Sequence, residues 1–115
     1  MEKKYVNNYL EDIQIAINEI DEFFSDFPKT YEEFLSYLIL RRAVERNIQI
    51  IGESVGRISV LDESITITNA RKYMDAGKHI THTYNSLLPD ILWSIVINHL
   101  PQLKTEVETL LSEKR

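Results

Sequence analysis

Residues 43–53 read Ala-Val-Glu-Arg-Asn-Ile-Gln-Ile-Ile-Gly-Glu and lie within a long segment of helical periodicity. The segment starts at Thr30, which can cap a helix, and Glu33 completes a capping box. From there to about Ile58, apolar residues recur every three or four positions, which is the period of an amphipathic helix. We therefore predict one long helix here. Its expected core stripe is Phe34, Leu35, Leu38, Ala43, Val44, Ile48, Ile51, Val55 and Ile58.

Two glycines interrupt this predicted helix, Gly52 and Gly56. Each costs about 1 kcal/mol relative to alanine inside a helix. Because residues four apart share a helix face, we expect a partner helix to approach closely at this point. The glycines also favour a homodimer in which helices pack antiparallel near residues 77–84.

The other segments predict further helices. The first runs from about Lys4 to Ser25 and ends before Pro28, since the residue preceding a proline is pushed out of the helical region. Residues 65–68 alternate like a strand but have no partner strand, so we interpret them as the lead-in to a third helix, capped by Thr68 or Asn69 and ending near residue 83. A fourth helix begins at Pro89, and Pro101 should kink or split it. The sequence predicts an all-α, up-and-down bundle of four or five helices, forming a single domain over residues 1–115.

Composition excludes several classes of protein. The chain has 115 residues and no cysteine, so it has no disulfide framework and no thiolate metal site. It contains no apolar run of the roughly 20 residues that span a bilayer and no signal peptide behind Met1, so we expect a cytoplasmic protein without a membrane partner. The net charge of −5 argues against a nonspecific duplex-DNA binder. Residues 37–82 carry seven basic and five acidic residues, which is compatible with a local phosphate site.

Reactive side chains concentrate in residues 77–84, Gly-Lys-His-Ile-Thr-His-Thr-Tyr. In a helix Lys78 and His82 share a face, and Asp75 lies four residues before His79. Asp75, His79 and His82 could alternatively bind a metal, although three ligands on one helix is poor geometry. A histidine near a helix end is otherwise a surface residue or a partner for the helix dipole.

Three stretches resemble one protein family. They are Tyr9-Leu10-Glu11-Asp12-Ile13, residues 43–53, and His82-Thr83-Tyr84 followed by Ile91-Leu92-Trp93 and Leu100-Pro101-Gln102-Leu103. In this order and spacing they resemble the HepT-like proteins of the HEPN superfamily. The resemblance implies a helical homodimer that acts as a metal-independent, cofactor-free ribonuclease toxin. It also implies a partner, an MNT-type nucleotidyltransferase, that silences the toxin by transferring AMP to a tyrosine. The histidine and tyrosine would be His82 and Tyr84.

The family's motif also has an arginine four to six residues before the histidine, where this chain has Gly77 and Lys78. We therefore expect RNA cleavage to be weakened, with Lys78 restoring part of the lost charge, and we expect Gly77→Arg to raise it. Arg46, Glu53 and His79 would support the site if their helices border it. The alternative function is a non-catalytic helical subunit that binds the nucleotidyltransferase and helps it hold its substrate.

Overall fold

The computed structural model describes residues 2–82 and 89–114, and every regular element in these ranges is helical. The helices are α1 (Glu2–Phe23), α2 (Tyr31–Ser36), α3 (Leu38–Leu61), α4 (Ala70–His82), α5 (Pro89–Ser94) and α6 (Leu100–Lys114), with a π-helical turn at Ile95–His99 between the last two. The predicted all-α bundle is confirmed. None of the helices in the described ranges is both long and apolar enough to cross a membrane.

Helix α3 lies at the centre of the bundle, with α1 against one side of it and α4 against another, while α6 packs on α1. The amide of Asn47 ties α3 to α1 by donating to the carbonyl of Ala16 and to the carboxylate of Glu19, each at 3.0 Å. Lys104 and Asp21 join α6 to α1 at 3.2 Å. The core is a continuous cluster of aliphatic side chains together with Phe34 and Tyr73.

The long helix predicted from Tyr31 to Ile58 is wrong, because the chain breaks at Tyr37. Thr30 does cap α2, accepting from the Glu33 N–H at 3.2 Å. Tyr37, however, is extended, with φ −109° and ψ 103°, and its ring packs 4.9 Å from that of Phe27. The Ser36 hydroxyl donates to the Glu32 carbonyl at 2.8 Å, a bond that competes with helical hydrogen bonding.

This break changes which side chains are buried. Leu35 and Leu38, both expected in the core, are 46% and 52% exposed. Leu40 is buried instead, and from Val44 onward the predicted stripe of α3 is correct. The start of α3 therefore presents apolar side chains to solvent.

Both proline predictions are confirmed. Pro89 opens α5, with Asp90 in the first turn, where a carboxylate suits the positive end of the helix. Pro101 follows the π-helical turn, in which the N–H of Leu100 donates to the carbonyl of Ile95 rather than to that of residue 96. Since proline has no N–H and its ring crowds the preceding turn, the wider turn relieves the clash.

Helices α3 and α4 make backbone contact at Gly52 and Gly77. A Cβ atom on Gly52 would lie 2.4 Å from the Tyr73 carbonyl oxygen and 3.1 Å from the Gly77 Cα. The partner helix expected at Gly52 is thus α4 of the same chain. Because Gly52 contacts α4 of its own protomer, it is not evidence for a homodimer. The homodimer stays a prediction.

We predict opposite effects for alanine at the two glycines of α3. Gly52→Ala should destabilise the fold by about 1–3 kcal/mol, because its methyl group collides with backbone that cannot rotate away. Gly56→Ala meets only the end of the Met74 side chain at 3.8 Å, and should stabilise the helix by about 0.5–1 kcal/mol. Urea unfolding of the two variants measures both changes, and equal destabilisation would contradict the assigned contact.

Candidate functional site

Helix α4 carries most of the residues singled out from the sequence. It follows Asn69, whose φ of 63° lies in the left-handed region that asparagine tolerates better than most residues. The carbonyl of Asn69 accepts from the N–H groups of Lys72 and Tyr73, at 3.0 and 3.3 Å. The helix ends at His82. The backbone of His82 is described but its side chain is not, and Tyr84 lies outside the described residues, so their roles stay predictions.

The start of α4 and the two residues before it are anchored to α6 and to the π-helical turn. The N–H and hydroxyl of Thr68 both donate to the carboxylate of Glu106 on α6, the former at 3.1 Å. The Asn69 amide lies 3.4 Å from Nδ1 of His99, and the Tyr73 hydroxyl donates to the His99 carbonyl at 3.1 Å. The sequence pointed to Thr68 and Asn69 only as candidate caps at the helix start, and gave no sign of their partners Glu106 and His99.

Two ionisable groups of this anchor have shifted pKa values. Burial, and secondly the nearby Glu106 carboxylate, raises the pKa of Tyr73 to about 12, so its hydroxyl remains a hydrogen-bond donor at neutral pH. Burial, and secondly the charge of Lys72, lowers the pKa of His99. A neutral His99 protonated on Nε2 can accept at Nδ1 from the Asn69 amide. The raised pKa keeps the Tyr73 hydroxyl protonated and the lowered pKa favours a neutral His99. These are the protonation states in which the Tyr73 and Asn69 hydrogen bonds to His99 can form.

One groove runs between α3 and α4 along the Gly52–Gly77 contact. It has a volume of about 540 Å³, and its charged lining residues are Glu53, Arg57 and Lys78. All three side chains are exposed. The glycines let α4 approach α3 closely, which places Lys78 at this α3–α4 groove beside Glu53 and Arg57. Arg57 was missed from the sequence, although it follows Glu53 by four residues and so shares its helix face.

His79 faces a different groove, on the other side of α4. This α4–α5 groove has a volume of about 870 Å³ and is also lined by Lys72, Asp75 and Asp90. His79 is half-buried there. The structure therefore separates His79 from Lys78, although the two are adjacent in sequence. Among the described side chains, no three acidic or histidine residues could hold a metal ion. Of the three ligands considered for a metal site, Asp75 and His79 line the same groove, and the side chain of the third, His82, is not described.

The backbone contacts fix which part of α3 lies beside the end of α4. A Cβ on Gly77 would lie 3.5 Å from the Gln49 carbonyl oxygen, and one on Gly56 would lie 3.8 Å from the end of the Met74 side chain, so the two helices run antiparallel. Counting 1.5 Å per residue, Arg46 lies about 9 Å from Gly52 along α3, and His82 lies about 8 Å from Gly77 along α4 in the same direction. Arg46 is therefore level with the last turn of α4. It is seven residues before Glu53, so it shares the face of α3 that lines the groove.

Arg46 differs from its neighbours in residues 44–48. Val44 and Ile48 are buried in the core, and Glu45 is buried with an oxygen 2.7 Å from the Arg42 guanidinium. The Asn47 side chain is hydrogen-bonded to α1. Arg46 is exposed and makes no hydrogen bond or ion pair with the described residues. In this run, Arg46 is the side chain left available for a ligand.

A family model described as ribonuclease HepT-like matches residues 13–110. The chain belongs to the HepT-like family. A Methanocaldococcus jannaschii protein named "Putative RNase" is 31% identical over 94% of this chain and 98% of its own length. A second protein of that organism with the same description is 28% identical over 98% and 93% of the two chains. "Probable ribonuclease HepT" of Thermococcus cleftensis is 31% identical over 94% of this chain and 97% of its own. No solved structure matches the chain significantly.

Position 77, one of the two at which the resemblance leads us to expect an arginine, is closed in this fold. A Cβ atom on Gly77 would lie 3.3 Å from the Gly52 Cα and 3.5 Å from the Gln49 carbonyl oxygen. Gly77 is itself buried. A long side chain at this position would push α3 and α4 apart, so on steric grounds we expect Gly77→Arg to disturb the site rather than to raise RNA cleavage.

We predict that Gly77→Arg destabilises the protein by several kcal/mol, because it overpacks a backbone contact and buries a charge. Lys78→Arg is the matched control. It places the same side chain one residue later, on an exposed position, and should shift stability by less than about 0.5 kcal/mol. Thermal melts followed by circular dichroism compare the two. A melting temperature for Gly77→Arg equal to that of the wild type would show that α4 can move away from α3.

Proposed function

We propose that this chain is a metal-independent HepT-type endoribonuclease in which His82 transfers protons and two cations, Arg46 and Lys78, neutralise the phosphate. The family membership and the names of the relatives support a ribonuclease. The observation that carries the specific proposal is the position of Arg46, exposed on α3 and level with the last turn of α4.

The proposed reaction needs a base, an acid and a cation. The base takes the proton of the 2′-hydroxyl as its oxygen attacks phosphorus, and the acid gives a proton to the departing 5′-oxygen. The products are a 2′,3′-cyclic phosphate and a free 5′-hydroxyl. Histidine suits both proton transfers because its pKa lies near neutrality. In a homodimer, the two copies of His82 would divide these roles.

The cation offsets the negative charge that develops on the phosphorus oxygens. Arginine does this well because its planar guanidinium donates two parallel hydrogen bonds, whereas lysine acts as a point charge. Position 77 cannot supply that guanidinium because it packs on Gly52. Arg46 would supply it from α3, and Lys78, one turn before His82, would add a second charge.

We further propose that the chain is the toxin of a toxin–antitoxin module with an MNT-type nucleotidyltransferase as its partner. The partner would transfer AMP to Tyr84. An AMP group there places a bulky anion near Lys78 and the end of α4, where it would occupy the phosphate site and neutralise its charge.

A second function is favoured by one observation, the closed position at Gly77. If Arg46 does not replace the missing arginine, the chain would be a non-catalytic subunit that binds the nucleotidyltransferase and helps it hold its substrate. Such a subunit would use Lys78 and Arg46 to bind phosphate without cleaving RNA. Toxicity on expression that depends on His82 separates the two functions.

Arg46→Gln should reduce RNA cleavage in the presence of a chelator by about 10²–10³, by analogy with the loss of one donor to a developing oxyanion. Arg57→Gln is the matched control, since Arg57 is exposed on the same face of α3 but lies about 17 Å farther along the helix. It should cleave at close to the wild-type rate.

His82→Ala should abolish the cleavage that Arg46→Gln weakens, and both variants should melt like the wild type. Equal rates for Arg46→Gln and Arg57→Gln would remove Arg46 from the proposed site. Cleavage that disappears with the chelator in the wild type would overturn the metal-independent mechanism.

Co-expression with an MNT-type nucleotidyltransferase tests Tyr84. The intact protein should gain an AMP-sized mass that is absent in Tyr84→Phe and retained in Tyr5→Phe, a control at an exposed tyrosine. Tyr73 is an unsuitable acceptor because it is 1% exposed and its pKa is raised to about 12. An AMP increment that maps to Tyr73, or none with an active transferase, would contradict the proposal.

A further inference from the structure

The junction of α2 and α3 exposes an unusual run of large apolar side chains. Within residues 31–39, the exposed fractions are 37% for Tyr31, 46% for Leu35, 47% for Tyr37, 52% for Leu38 and 87% for Ile39. We call these five side chains the α2–α3 face. Contiguous exposed apolar patches are uncommon on monomeric proteins and mark interaction sites.

A cavity of about 630 Å³ opens beside the α2–α3 face. Its apolar wall comes from the end of α1 and the start of α3, and includes Phe27, Tyr37 and Ile39. The extended backbone at Tyr37 creates this space by turning its ring onto Phe27. The cavity suits an apolar side chain from another molecule, because its wall is already formed.

Two carboxylates, Glu22 and Asp26, line the same cavity. Neither forms an ion pair with the described residues. The nearby cations are engaged elsewhere: the Arg41 guanidinium donates to the Leu35 carbonyl, that of Arg42 pairs with Glu45, and the Lys29 ammonium lies 5.7 Å from the centre of the Phe24 ring. The cavity therefore combines an apolar wall with two carboxylates that form no ion pair with the described residues.

We propose that the α2–α3 face binds a partner protein through an apolar side chain flanked by arginine or lysine. The apolar group fills the cavity and the basic group meets Glu22 and Asp26, a combination that gives both burial and charge complementarity. RNA is excluded here because its phosphates would face the two carboxylates. A second copy related by a twofold axis is disfavoured, since an isologous contact pairs the patch with itself and brings no free basic group to Glu22 and Asp26.

The position of the face links it to the end of α4. Ile39 precedes Arg46 by seven residues, so both lie on one face of α3, about 10 Å apart along the helix. A protein bound to Ile39 would therefore border the α4 terminus. The binding proposal itself does not depend on the ribonuclease, because it rests only on the apolar surface and its charges.

The test measures binding of a short helical peptide with leucines at every third and fourth position and lysines between them, by fluorescence anisotropy. A matched peptide with glutamate in place of lysine should not bind. Ile39→Ser should raise the Kd for the basic peptide by about tenfold or more, as for a residue central to an interface. Val60→Ser, which alters another exposed aliphatic residue at the far end of α3, should leave it unchanged.

A second pair of variants separates local charge from net charge. Glu22→Gln combined with Asp26→Asn should weaken binding by about tenfold, whereas Glu108→Gln combined with Glu113→Gln changes the net charge equally and should not. Equal losses in both pairs, or no binding by the wild type, would overturn the proposal. So would dissociation of a wild-type oligomer by Ile39→Ser in sedimentation, which would make the face a contact between copies of this chain.

Discussion

The backbone contact between Gly52 and Gly77 determines the arrangement of α3 and α4. A Cβ on either residue would meet the other's backbone within 3.3 Å, so the two helices are in direct backbone contact. This contact fixes which turn of α3 lies beside which turn of α4. The charged side chains of the α3–α4 groove remain exposed beside it. The positions of Lys78 and Arg46 at the end of α4 are consequences of that single contact.

Much of the fold was predictable because its signals are local. Thr30, Pro89 and Pro101 act on the turn in which they lie, and the structure follows each of them. The core stripe of α3 from Val44 onward was predictable because an amphipathic helix needs only the correct period. The family could be identified from motifs, since their order and spacing extend over nearly the whole chain.

The errors come from interactions between segments distant in sequence. Tyr37 is neither glycine nor proline, and its extended backbone is explained by Phe27 on another segment, which no helical period reveals. Likewise, the sequence indicated that Gly52 meets a helix but not which one. Lys78 and His79 are neighbours in the sequence, yet they face opposite grooves because α3 and α5 flank α4 on different sides. For the site residues His82 and Tyr84, only the motif supports a role.

Glycine at position 77 and a phosphate-binding arginine impose incompatible demands on one residue. The contact between α3 and α4 requires a residue without a side chain at position 77, whereas phosphate binding requires a long side chain there. Under the proposed function, the chain resolves this conflict by moving the guanidinium to α3, at Arg46. A donor on a second helix works only if that helix is held in register with the histidine. The glycine contact sets this register at mid-helix, while Thr68 and Glu106 fix the start of α4. The interaction that excludes arginine from position 77 is thus the one that would let Arg46 replace it.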